Sequence, residues 1–418
     1  MLHIAAIWLI SLASIALVLI RPKAWPEAWW AALGACLLVL CRLISLQSAA
    51  SAVGKGLDVY LFLIGMMIMS ELARREGVFD WIAQHAVRAS RGSRSRLFLL
   101  IYGVGVVVTV LLSNDATAVV LTPAVLAAVR TAEAEPLPYL LICAFIANAA
   151  SFVLPISNPA NLVVYRGDMP SLGRWLLTFG LPSVVSVLIT FLVLRWLAHK
   201  LLQGPVSLSA ADEKPLSATG KLTLYGIGFL AITLMTASAL EFDLGAPACL
   251  AGLLVAAAVS LRDRGAPKDV AKEVSWSVLP LVAGLFVIVE ALNGAGALGT
   301  AVRVLRELKT WPSARGVLSC GFGIALISNL MNNLPSGLIA GAAVRTAGAT
   351  GPLRDALLIG VDLGPNLSVT GSLATILWLM AIRREGQDVG FRKFLKWGAL
   401  VMPPALALAV LTVWLSSR

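Results

Sequence analysis

The sequence predicts an all-α polytopic membrane protein built from two inverted-topology repeats, each of about five spans plus one re-entrant hairpin, with discontinuous helices at the midplane. Three observations carry this. The 418 residues are 59% hydrophobic and only 13% charged, against about a quarter charged in soluble domains. Apolar stretches long enough to cross ~30 Å of hydrocarbon recur along the chain, with no room between them for a soluble domain. Motifs also repeat at nearly one offset across the two halves.

The first apolar run, from His3 to Ile20, lacks basic residues before it and a small-residue cleavage site after it, so it is read as a retained span. Full spans follow at 25–46, 56–72, 138–165, 175–197, 222–240, 246–261, 277–293, 356–382 and 394–415. Two interrupted apolar stretches, 97–130 and 316–348, are assigned to re-entrant hairpins.

Orientation follows from charge. With both termini outside, 22 of the 33 Lys and Arg fall on the cytoplasmic side, as Arg130 and clusters at Arg21 and Lys23, Arg74 to Arg96, Arg195 to Lys221, Arg262 to Lys272 and Arg383 to Lys396. The net charge of +11 is thereby accounted for by helix ends meeting anionic lipid, and nucleic acid is not implied. The Arg-rich stretch from Arg74 to Arg96 reads as an amphipathic surface segment, with Val78, Phe79, Trp81 and Ile82 dipping inward. The five cysteines are scattered singly, and the three histidines form no cluster. That spacing argues against a metal centre, a disulfide or histidine-based catalysis, and no cofactor is expected.

The repeat is visible in "GMMIMSELARREGVF" (65–79) against "GLFVIVEALNGAGAL" (284–298), which matches Gly65 with Gly284, Glu71 with Glu290 and Gly77 with Gly296 at an offset of 219 (284 − 65). Asn114 and Asp115 pair with Asn332 and Asn333 at 218 (332 − 114), and "ISNPANLVVY" (156–165) pairs more loosely with "VTGSLATILW" (369–378). An odd number of crossings per half turns the second copy upside down, a transporter signature. The halves are then 1–198 and 222–418, joined by a polar cytoplasmic linker at 199–221. Glu71 and Glu290 sit near the ends of their spans, where a carboxylate can reach water or a helix terminus and a structural role is expected.

Four stretches break their helices with Asn, Ser, Thr, Gly or Pro: Ser113 to Thr117, Ser157 to Asn161, Ser328 to Ser336, and Gly364 to Ser372. Irregular backbone is tolerated at membrane depth only where protein or a wet cavity satisfies it. Matching breaks in two halves point to a substrate site near the midplane. Asp115 and Asp362 are the deep carboxylates. An intramembrane carboxylate is costly to keep charged, which suits a proton carrier. The competing reading of Asp115 is a cap for the second arm of its hairpin.

The segments "SNDATAVVLTP", "NAASFVLPISNPANLVVY", "MNNLPSGLIAG" and "DLGPNLSVTGSLATILWL" resemble the signature stretches of the ArsB-type arsenite permeases, within the ion transporter superfamily. The resemblance runs from about residue 56 to the C-terminus, and its Ser-Asn hairpin is shared across the superfamily. It implies a bacterial inner-membrane carrier exporting arsenite and antimonite in exchange for protons, in some cases with a cytoplasmic ATPase subunit docked on it. Carried over by motif, it implies cargo ligands at Asn114, Thr117, Ser157, Asn158, Asn161, Asn332, Asn333, Asn366, Ser368, Thr370 and Ser372, with Asp115 and Asp362 as proton-coupling groups. Arsenite near neutral pH is an uncharged trihydroxide, which Asn, Ser and Thr side chains can solvate without the thiolate clusters this chain lacks.

Three alternatives remain at this point. A sodium-coupled carboxylate carrier of the same superfamily would want cationic groups or helix N-termini at the site, and the four breaks contain no Lys or Arg. A sodium–proton antiporter could use Asp115 with amide and hydroxyl oxygens. A remote one is an intramembrane aspartyl protease using Asp115 and Asp362, although "SNDAT" and "VDLGP" lack the Gly-x-Gly-Asp pattern such enzymes show.

Overall fold

A computed structural model describes residues 2–22, 25–207, 215–311 and 313–417. Lys23 and the 208–214 portion of the expected linker lie outside the described residues. The described chain is helical apart from turns, breaks and one isolated bridge.

The order of elements recurs. Helices Leu2–Ile20, Glu27–Leu40, Leu46–Gly54, Leu57–Arg75 and Val78–Ala89 are followed by a hairpin, a broken helix and the long helix Leu172–Ala198. Helices Ala218–Ala239, Gly245–Ser260, Ala266–Glu273, Val278–Gly294 and Ala297–Thr310 lead in the same way to a hairpin, a broken helix and the long helix Phe391–Ser416. The matched glycines explain part of this. Gly77 (φ 71°) and Gly296 (φ 97°) both take left-handed backbone to turn the chain into a surface helix, a conformation that costs other residues ~1–2 kcal/mol. Gly65 and Gly284 instead admit a neighbouring backbone. A Cβ on Gly65 would lie 2.2 Å from the Ala248 carbonyl oxygen, and one on Gly284 would lie 2.7 Å from the Ala31 carbonyl carbon. Small residues at helix crossings allow this close packing in membranes.

Seven described helices are long and apolar enough to cross a membrane, or eight if the pair Leu46–Gly54 and Leu57–Arg75, bent by 48°, forms one span. This corrects the expected ten full spans. The runs at 25–46, 138–165 and 246–261 hold helices of only 14, 14 and 16 residues, and 356–382 is divided into two helices of 12 residues each. Conversely, the first arms of the hairpins, Arg94–Leu111 and Ser313–Met331, reach crossing length. The reason is local. Arg42 turns with φ 55°, and the Ser45 hydroxyl accepts from the Ser48 N–H to start a new helix inside one continuous apolar run. An apolar run sets an upper bound on helix length, and caps set the length itself.

The surface helix Val78–Ala89 buries Val78, Phe79, Ala83, Ala86 and Val87, while Trp81 and Ile82 are half-buried. Ion pairs hold the span ends: Arg74 with Glu71 at 2.5 Å, and Lys55 with Glu290 at 3.0 Å. The first broken helix lies deepest, with all but two residues of Pro136–Ala149 buried. Trp378 Nε1 donates to the Leu140 carbonyl at 2.9 Å, fastening the second broken helix to it.

Candidate functional site

Four interrupted elements make the site, and each restarts with a side-chain cap. In the first hairpin the chain stops at Leu111 and the Ser113 hydroxyl accepts from the Ala116 N–H at 3.2 Å. In the second, Asn332 adopts φ 74° and its Oδ1 accepts from the Leu334 N–H at 3.3 Å. The first broken helix resumes at Pro159 behind Asn158, whose Oδ1 accepts from the Ala160 N–H at 3.0 Å. The second resumes at Leu373 behind Ser372, whose hydroxyl accepts from the Thr375 N–H at 3.1 Å. Proline at a first helical position and Ser or Asn before the helix are the residue types such starts require.

The first residues of these four helices face one another. Asn114 and Asp115, Asn158 and Pro159, Asn333 and Leu334, and Leu373 and Ala374 line a single cavity closed by Leu63 and Val278. Its volume is about 10 Å³, room for the centre of one water-sized solute. Four helix N-termini therefore point their partial positive charge at one place. The Asp115 carboxylate makes no hydrogen bond or ion pair with any described residue, and the buried Asn114 Oδ1 is likewise without a partner. The cap of the hairpin arm is thus Ser113 rather than Asp115, which corrects the capping alternative.

The other polar side chains of the breaks hold the loops in shape. Asn158 Nδ2 donates to Asp362 Oδ1 at 2.9 Å, linking the two broken helices, and Asp362 Oδ2 is buried without a partner. Asn161 Nδ2 donates to the Ser151, Leu154 and Pro155 carbonyls, and Ser157 donates to the Val110 carbonyl at 3.2 Å. Asn366 Nδ2 donates to the Phe145 carbonyl at 2.9 Å. Thr117 shares a hydrogen bond of 2.8 Å with Thr109 across the first hairpin, and Ser336 shares one of 2.8 Å with Ser328 across the second. Both pairs stand 219 residues apart (328 − 109 and 336 − 117), the offset of the glycine motif.

Of the thirteen residues named from the sequence, the structure brings Asn114, Asp115, Asn158 and Asn333 to the central cavity. Asn332 faces an adjoining, more apolar cavity beside Met331 and Pro335. Thr117, Ser157, Asn161, Asn366, Ser372 and Asp362 are buried in the network behind it. Ser368 and Thr370 bond to Asn329, to its Oδ1 at 2.6 Å and its carbonyl at 3.1 Å.

Sequence reasoning passed over two residues. Asn148 donates to Asn366 Oδ1 at 3.0 Å and Thr375 Oγ1 at 3.1 Å, and it accepts from Ser372 at 3.0 Å. Asn329 organises the break around Ser368 and also donates to the Gly364 carbonyl at 2.9 Å. Their signal was available as an asparagine inside an apolar run, alone in "NAASFV" and ahead of the Asn pair in "SNLMNN".

Chemically, the cavity offers amide donors and acceptors, one free carboxylate and four sets of helix N-terminal amides. Such a place can solvate a small polar solute and hold a proton or cation on Asp115.

The citrate transporter family model matches residues 15–362. The chain is 28% identical over 422 residues to the arsenical pump membrane protein of Escherichia coli, covering 97% of this chain and 98% of that one. It is 28% identical over 377 residues to the arsenical pump membrane protein of Yersinia enterocolitica, covering 84% and 85%. Among solved structures it resembles the YdaH transporter of Alcanivorax borkumensis, with a TM-score of 0.57, 15% identity, and coverage of 88% of this chain and 87% of that one. That likeness concerns the fold.

Proposed function

The chain belongs to the citrate transporter family, one of secondary transporters and not of enzymes, and from that premise we propose that it exports arsenite and antimonite across the bacterial inner membrane in exchange for protons. The observation that carries this reading is the Asp115 carboxylate, unpartnered and facing a cavity of amides at the meeting point of four helix starts. The likeness to arsenical pump membrane proteins over nearly the whole chain supports the cargo.

In this mechanism Asn114, Asn158 and Asn333 replace the water hydrogen bonds of the neutral trihydroxide. Asp115 takes up and releases the counter-moving proton, and Asp362 stands behind Asn158 as a second proton-holding group. An inward proton supplies roughly 2.3 kcal/mol per 100 mV, enough for about a fifty-fold cargo ratio. The recurring element order supports two repeats at 1–198 and 222–418; their inverted topology and the placement of both termini outside rest on the distribution of Lys and Arg. The other residues carried over by motif, Thr117, Ser157, Asn161, Asn332, Asn366, Ser368, Thr370 and Ser372, act in this reading by holding the breaks in shape around the cavity rather than by touching the cargo. A cytoplasmic ATPase is an optional partner on the basic face.

A second reading is favoured by one observation. Four helix N-termini at a cavity are the device that attracts an anion when no Lys or Arg is present, and the family model is that of citrate transporters. Proton flux in proteoliposomes separates the readings, with arsenite, sodium and citrate added in turn. The expected result is proton movement evoked by arsenite and abolished in Asp115→Asn. Movement evoked by citrate or sodium, with arsenite silent, overturns the cargo assignment.

A further inference from the structure

A second polar cavity, of about 260 Å³, lies at the other end of elements that build the first. Two helices connect them. Pro159 lines the central cavity, while Leu162 and Tyr165 line the larger one. Leu63 closes the central cavity, and Val59, one turn earlier on its helix, lines the larger. At 1.5 Å per residue the two spaces are separated by roughly 6–9 Å, a thin apolar layer of Val59 and Leu162. By volume the larger space holds several waters, whose share of liquid is about 30 Å³ each.

Its charged lining is balanced. Lys55 and Arg166 face Asp58 and Asp243. Lys55 is committed to Glu290 at 3.0 Å, and Asp58 Oδ1 accepts from the Gly245 N–H at 2.6 Å. The half-buried Arg166 guanidinium makes no hydrogen bond or direct ion pair with a described residue, although Glu290 lies near enough to act on its charge, and the exposed Asp243 carboxylate makes none either. An anion entering here meets two carboxylates, and a cation meets two basic groups. A neutral solute carrying several hydroxyls meets neither penalty: a hydroxyl can accept from Arg166 or donate to Asp243.

We propose that this vestibule is a second binding station on the transport path, taking a small uncharged polyhydroxyl solute between Arg166 and Asp243 on one face of the membrane only. The proposal rests on the neutral-trihydroxide reading of the cargo. It gives the cargo a solvated place to stand after leaving the narrow central cavity. By the charge-derived orientation, that place faces outside.

The test is arsenite transport in proteoliposomes of known protein orientation, with the apparent KM measured separately for arsenite presented at each face, in wild type, Arg166→Gln and Asp243→Asn. The expected result is a KM raised about tenfold at the vestibule face in Arg166→Gln, and raised in the same sense in Asp243→Asn, so that the ratio of the two KM values shifts. An equal rise at both faces, or an unchanged ratio in both variants, overturns the vestibule while leaving arsenite transport standing. A wild type that moves no arsenite from either face overturns both. Thermal melting of each variant guards against misfolding as the source of a changed KM.

Discussion

Asn158 spends one amide on two tasks, capping Pro159–Val164 through Oδ1 and holding Asp362 through Nδ2 at 2.9 Å. Removing its partner should therefore separate structure from chemistry. Asp362→Ala leaves a buried amide donor unsatisfied and should cost ~1–3 kcal/mol, read as a lower melting temperature in detergent. Asp362→Asn can still accept from Asn158 and should melt near wild type. If Asp362 holds a coupling proton, Asp362→Asn nonetheless loses arsenite-driven proton flux; full flux in that variant removes Asp362 from the proton path. At this scale the sequence made the carboxylates and the Asn-rich breaks conspicuous, because polar groups in apolar runs stand out. It did not distinguish residues facing the cavity from residues facing the protein. Asn114 and Asn366 look alike in sequence, yet one has a free Oδ1 beside the cavity and the other is tied to Phe145 and Asn148, more than 200 residues away.

Elements are bounded by caps and packed through glycines, and the two uses of glycine predict different costs. Gly65→Ala would press a Cβ to 2.2 Å from a backbone oxygen that no rotamer change can move, so the helices Leu57–Arg75 and Gly245–Ser260 must part, at ~1–3 kcal/mol. Gly77→Ala meets no atom within 4 Å and pays only for its φ of 71°, about 1 kcal/mol. The melting temperature should fall further in Gly65→Ala than in Gly77→Ala; the reverse order would mean that the surface helix Val78–Ala89, and not the helix crossing, limits stability. Element type was legible throughout, since long apolar runs in a membrane admit little but helix. Element length was not. The 356–382 run reads as one span by composition, and its division at Leu363 and Leu373 depends on Pro365, Gly371 and the bonds to Asn329.

Across the molecule, Arg75 joins the end of one half's span to the other half, pairing with Asp263 at 2.8 Å and Asp269 at 2.9 Å as well as Glu76 at 2.6 Å. The Gly265 N–H and then the Arg75 guanidinium hold the Asp263 carboxyl below the usual carboxylate range. A depressed folded pKa contributes stability that is present above the ordinary value of about 3.9 and is lost as pH falls through the folded value. Wild type should thus melt above Asp263→Asn at pH 6–7, and the gap should close below about pH 4. A gap that persists in acid would assign the effect to something that does not titrate, such as the hydrogen bond from the Gly265 N–H, rather than to the Asp263 charge. The group is partly exposed, so the gap is expected to be small and to shrink with salt.

By itself the sequence determined the solvent and the helical class, and showed recurring Gly, Glu and Asn motifs, because hydropathy, charge placement and short motifs are local and additive along the chain. It also placed all four breaks, since Pro, Gly and Asn in an apolar run act on the backbone where they stand. Only the tertiary structure decided which ends of the broken helices meet, that their N-termini surround Asp115, and that a charge-balanced vestibule lies one short helix away. Those facts depend on contacts such as Asn158 with Asp362 and Asn148 with Asn366, whose partners lie 204 and 218 residues apart. No local pattern records which of many polar groups a buried amide will find once the helices have packed.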